Sequence, residues 1–93
     1  MTAMTASPLH AALVAALQAR FEPVELELVD DSAAHAGHAG ARSGEHFQLR
    51  IVCLRFAGMT RIARHRLVYD ALRPWMAEGV HALAIDARTP DEV

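Results

Sequence analysis

The stretch FAGMTRIARHRLVYDALRPWM, residues 56–76, decides the fold of this chain. Gly58 marks a turn, and the hydroxyl of Thr60 can cap a short helix directly after it. A longer helix is then predicted from apolar residues at helical spacing: Leu67, Val68, Ala71, Leu72, Trp75 and Met76. Pro74 lies within this helix and removes one of its backbone hydrogen-bond donors. Residues 56–76 therefore predict a glycine turn followed by a short helix and a longer one.

The sequence before this stretch predicts one helix and two strands. Ser7 and Pro8 are typical of a helix start, and the helix should end before Pro23, because the residue before a proline avoids helical geometry. Apolar and polar residues then alternate over residues 24–28 and again over 47–53, which predicts two strands with one polar face each.

Residues 81–85 alternate in the same way and predict a third strand. The order helix, strand, strand, helix, helix, strand predicts an α+β sandwich, a three-stranded mixed sheet with helices on one face. Trp75 should be at least partly packed. Residues 1–6 are predicted to be a flexible tail, with Met1 or Met4 as the start, and residues 7–93 one domain. The predicted core is Leu13, Leu17, Leu26, Leu28, Leu49, Ile51, Leu72, Leu83 and Ile85.

The composition is that of one small globular domain. The chain has 93 residues, of which 53% are hydrophobic and 22% are charged, and its net charge is −2. A single cysteine, Cys53, excludes an internal disulfide and a cluster with four cysteine ligands of its own; on the apolar face of its strand it is predicted to be a small buried residue. The sequence shows neither a signal peptide nor a membrane-spanning apolar run, which predicts a cytoplasmic protein. A small core would gain buried surface from a partner or a weak homodimer.

One segment is basic although the whole chain is not. Arg55, Arg61, Arg64 and Arg66 lie within twelve residues that contain no acid. On one exposed face these arginines could contact nucleic-acid phosphates. A solvated charged face with no ligand is the alternative interpretation.

The histidines are the candidate metal ligands. His65 lies between two arginines near the start of a helix, and both the arginines and the helix N-terminus disfavour its protonated form. The neutral imidazole is the form that binds metals. His35 and His38 lie in a loop rich in alanine and glycine. The alternatives are a half-buried histidine bonded to a carbonyl for His65 and an ordinary polar loop for the other two, and the strand residues His46 and His81 are predicted to be packed or hydrogen-bonded.

The sequence contains no enzyme motif that we can identify. A phosphate-binding glycine loop, an HExxH zinc motif and a serine nucleophile elbow are all missing. The chain is therefore predicted not to be an enzyme in its own right.

A spaced set of short motifs runs along the chain: Val29-Asp30-Asp31-Ser32, His46-Phe47, Phe56 with Gly58, Arg64-His65-Arg66-Leu67-Val68-Tyr69, Val80-His81-Ala82-Leu83 and Thr89-Pro90. In these residues the chain resembles the BolA family. The resemblance extends from Ser7 to Glu92 and implies a fold similar to class II KH domains.

The resemblance implies two functions. In the first, the chain pairs with a monothiol glutaredoxin and shares a [2Fe-2S] cluster with it. The family's ligands then map onto His65 and onto His35 in the loop, with His38 as a second loop candidate because this loop looks longer than in many relatives. Two imidazoles on one iron is the Rieske pattern, and glutaredoxin with glutathione would supply the missing thiolates. The isolated chain should hold no cluster.

In the second function, the chain binds DNA and regulates transcription in a stress or morphology response. KH domains bind nucleic acid through a GXXG loop. The corresponding Gly58-Met59-Thr60-Arg61 lacks the second glycine. Phosphate contacts would then fall to the four arginines of the basic segment.

Overall fold

The computed structural model describes residues 8–30, 45–77 and 80–93. The predicted N-terminal tail and the loop that carries His35 and His38 lie outside the described residues. Short 3-10 turns lie at Leu54–Phe56 and Pro90–Glu92. The longer elements are helix α1 (Pro8–Phe21), strands β1 (Glu25–Asp30) and β2 (Glu45–Val52), helix α2 (Arg61–Met76) and strand β3 (Val80–Arg88).

The three strands form the predicted mixed sheet in the order β1-β2-β3. β1 is antiparallel to β2, with Leu28 opposite Leu49, and β3 is parallel to β2, with Leu49 opposite Ile85. These strand residues pack in one core with both helices, whereas Glu27 and Gln48, on the alternate positions, are exposed. The α+β architecture with helices on one face of the sheet is confirmed.

The division of residues 60–76 into two helices is wrong. A single helix α2 runs from Arg61 to Met76, and the side chain of Thr60 caps it by accepting the N–H of Ala63 at 3.1 Å. The residues between Ala63 and Leu67 are compatible with helix, so nothing interrupts it there. The predicted short helix is therefore the first turn of α2, and the 3-10 turn Leu54–Phe56 before it was not predicted.

The core matches the prediction in its centre and differs at the sheet edges. Leu26, Leu83 and Ile85 are only partly buried, because β1 and β3 are the outer strands. Trp75 is partly buried, as expected. Phe56, which the predicted core omitted, is 0% exposed and lies 5.5 Å from Phe21 between ring centres. The predicted core residues that are buried are Leu13, Leu17, Leu28, Leu49, Ile51 and Leu72.

Candidate functional site

His65 lies half-buried in a groove of about 530 Å³ at the start of α2. The Thr60 cap fixes where the helix begins, which places residue 65 in its second turn. The β3 residues 85–88 and Glu92 also line this groove. The groove therefore lies beside the C-terminal end of β3.

Arg64 does not share the exposed face of its neighbouring arginines. Its side chain is 11% exposed, and both terminal nitrogens donate to the carboxylate of Glu92, at 2.6 and 3.1 Å. The same guanidinium donates to the carbonyls of Met59 and Ala87, both at 3.0 Å. DNA binding by the basic segment would require Arg61, Arg64 and Arg66 to share one exposed face, and only Arg61 and Arg66 are exposed. The physical reason is that acceptors within the fold occupy the donors of Arg64.

The Arg64–Glu92 ion pair shifts the pKa of both of its groups. Hydrogen bonds from Arg64, and then from the backbone N–H of Thr89 at 2.8 Å, lower the pKa of Glu92 from its ordinary value of 4.5 to about 2. The same pairing raises the pKa of Arg64. The short turn Pro90–Glu92 is thereby held against the start of α2.

The lowered pKa of Glu92 makes this ion pair a pH-dependent source of stability. A carboxyl group whose pKa falls on folding stabilises the fold above its unfolded pKa, and this contribution is lost as pH falls from about 4.5 towards about 2. We therefore expect Glu92→Gln to be less stable than the natural chain at pH 7, and the difference to shrink at pH 2.5. Urea unfolding at both pH values measures this.

Glu27→Gln is the matched control, because Glu27 is exposed and forms no ion pair within the set of described side chains. It should change stability little at either pH. An equal difference between Glu92→Gln and the natural chain at both pH values would contradict the assignment.

The loop that carries His35 and His38 is attached at the opposite end of the sheet. Residues 31–44 connect Asp30 to Glu45, and Glu45 is paired with Val80, the first residue of β3. His65 faces the other end of β3, from Ile85 onwards. The five residue steps from Val80 to Ile85 correspond to roughly 17 Å of strand.

The backbone of His81 lies at the end of the sheet where this loop is attached. Glu45 pairs with Val80 and His46 with Ala82, so the register shifts at His81. Such bulges are common next to functional sites. The sequence predicted a packed or hydrogen-bonded strand histidine here. The local alternation does not indicate that β3 begins at the end of the sheet where the loop is attached.

The one thiol of the chain is unsuited to metal binding. Cys53 is 1% exposed; its Sγ donates to the carbonyl of Phe21 at 3.1 Å and accepts the N–H of Arg55 at 3.3 Å. Its predicted role as a small buried residue is confirmed. Among the side chains that the structure describes, no three His, Cys, Asp or Glu lie together as a metal site.

Within the described ranges, no helix has the length and apolar character needed to cross a membrane.

The structure is that of a small α+β domain of the class II KH-like type. Two helices pack on one face of a three-stranded mixed sheet, and one of these helices is capped by Thr60. The family model described as BolA-like protein matches residues 17–92. This chain therefore belongs to the BolA family.

Named relatives agree with this assignment. The chain is 49% identical to SufE-like protein 1, chloroplastic/mitochondrial, from Arabidopsis thaliana, over 83% of this chain and 22% of that protein. It is 46% identical to BolA-like protein 1 from Mus musculus, over 91% of this chain and 61% of that protein. The chain thus spans less than two thirds of the length of these relatives.

The fold is also similar to solved structures. The BolA domain of SufE1 from Arabidopsis thaliana superposes with a TM-score of 0.82 at 44% identity, covering 94% of this chain and 98% of that one. The solution structure of BolA1 from Mus musculus gives a TM-score of 0.78 at 46% identity, covering 94% and 69% respectively.

Proposed function

We propose that this chain is the BolA-like partner of a monothiol glutaredoxin and shares a [2Fe-2S] cluster with it. The role would be cluster assembly or trafficking, with iron or redox regulation as the outcome. The chain would act by holding a partner and its cargo, not by turning over a substrate of its own.

The observation that supports this proposal is the donor set. The chain has histidines near the loop attachment, and its single thiol is buried and bonded to Phe21. Imidazole can replace thiolate on one iron of a [2Fe-2S] cluster, but the remaining ligands must be thiolates. A glutaredoxin with bound glutathione would supply those thiolates at the interface.

The loop would supply one imidazole, from His35 or His38. There are two candidates for the second imidazole. His65 is the candidate from the sequence, and His81 is a candidate because of the position of its backbone in the sheet. A cluster held by His65 and a loop histidine would require the segment between Asp30 and Glu45 to return along the sheet by roughly 17 Å. His81 requires no such return, because β3 begins at the end where the loop is attached. The sheet register therefore favours His81 for the second imidazole.

Coexpression with a monothiol glutaredoxin tests the proposal. We expect a red-brown heterodimer on size-exclusion chromatography, with visible absorbance typical of mixed histidine and cysteine ligation. The chain expressed alone should be colourless, because it lacks thiolate ligands. A glutaredoxin whose active-site cysteine is replaced by serine is the control and should give no coloured complex.

A colourless mixture without a complex would contradict the proposal. DNA retarded at physiological salt by the colourless chain would instead favour the DNA-binding alternative, with Arg55, Arg61 and Arg66 as exposed phosphate contacts. Cytoplasmic localisation stays a prediction that the coexpression does not address.

A further inference from the structure

β3 is an outer strand, and three hydrogen bonds define which of its backbone groups face outwards. The carbonyl of Arg88 accepts the N–H of Cys53 at 2.9 Å, on the side of β2. Backbone groups alternate in direction along a strand, so residues 83, 85 and 87 direct theirs to the outer edge. Tyr69 donates to the carbonyl of Leu83 at 3.3 Å, and Arg64 donates to that of Ala87 at 3.0 Å, which agrees with this alternation.

The outer edge is open at its centre. Side chains of α2 donate hydrogen bonds to the carbonyls of Leu83 and Ala87. No described residue forms a hydrogen bond with the outward N–H or carbonyl of Ile85, which lies between them. The bond from Tyr69 is also long and exposed. An unpaired donor and acceptor on an outer strand form a template for an added strand.

The groove beside this edge carries uncompensated positive charge. Arg64 is paired with Glu92 and Arg88 with Asp86. Arg61 lines the same groove, is exposed, and has no ion pair with any side chain that the structure describes. An acidic group on an added strand would therefore find a free partner in Arg61.

We propose that the outer edge of β3, centred on Ile85, binds an extended acidic peptide segment of another protein. The segment pairs its backbone with Ile85 and places a carboxylate at Arg61. A second copy of this chain fits less well, because the carboxylates of the same groove, Asp86 and Glu92, are already paired. The edge at Ile85 is separate from His81, so this binding does not depend on the proposed cluster.

Amide chemical shifts of the ¹⁵N-labelled chain test the proposal. The probe is an acetylated, amidated pentapeptide of alternating valine and glutamate. We expect saturable shifts centred on Leu83, Ile85 and Ala87. Methylating alternate peptide nitrogens should abolish them, because it removes the donors that a strand needs. Replacing glutamate by arginine in the peptide should weaken the shifts strongly.

Arg61→Gln should weaken the peptide's affinity by about two- to fivefold, the size of one exposed ion pair. Arg66→Gln is the matched control, because Arg66 is exposed on the same helix but does not line this groove, and it should leave the affinity unchanged. Equal binding of the methylated peptide, or of the arginine peptide, would overturn the proposal. So would shifts of the same amides that depend on protein concentration without peptide, since they would identify a second copy as the occupant.

Discussion

Leu72→Ala should lower the free energy of unfolding by about 2–5 kcal/mol, the range for truncating a fully buried leucine. Leu72 is 0% exposed and packs from α2 into the core shared by both helices and the sheet. The substitution removes apolar contacts and leaves a cavity that its packed neighbours can only partly fill. A domain of this size has a total stability of roughly 5–14 kcal/mol, so one substitution would remove a large part of it.

Urea unfolding monitored by circular dichroism measures the effect. Ile62→Ala is the control on the same helix, because Ile62 is 66% exposed and its truncation should stay within about 0.5 kcal/mol. A similar loss in both variants would contradict the position of Leu72 at the centre of the core, because alanine is the better helix former and helix propensity cannot account for a loss.

Local sequence pattern was sufficient to predict the first helix, the three strands and the centre of the core. Alternation identified the three strands, and helical spacing placed Leu13, Leu17 and Leu72 in the interior. Local pattern did not predict that residues 61–76 form one continuous helix. A capping residue at Thr60 marks a start, but no residue marked an end before Leu67, and a sequence without a stop signal forms one helix.

The site was harder to predict, because long-range contacts determine its geometry. Arg64 looks like Arg61 and Arg66 in the sequence, yet it binds Glu92, which is 28 residues away. In the same way, His81 reaches the end of the sheet next to Glu45 only because β3 is parallel to β2 and pairs in one particular register. Neither fact has a local signature in the sequence. The histidine between two arginines does have one, and the sequence analysis therefore proposed His65 as a ligand.

His81→Ala should remove most of the visible absorbance of the glutaredoxin complex, and His65→Ala should retain it. The reason is the position of the two residues relative to residues 31–44. The backbone of His81 lies where β2 and β3 begin beside this loop, while His65 lies beside Ile85 and Ala87 in the groove at the far end. The absorbance of the coexpressed complex, and its rate of loss in air, measure the effect.

His35→Ala and His38→Ala, tested separately in the same complex, assign the loop ligand, since only the residue that binds iron should change the spectrum. Each variant also requires an unfolding curve close to that of the natural chain, so that loss of the cluster is not loss of the fold. Bleaching by His65→Ala with an unchanged spectrum in His81→Ala would reverse the assignment in favour of His65. The loop would then have to run back along the sheet to the start of α2, because one iron cannot bind imidazoles from opposite ends of a strand of this length.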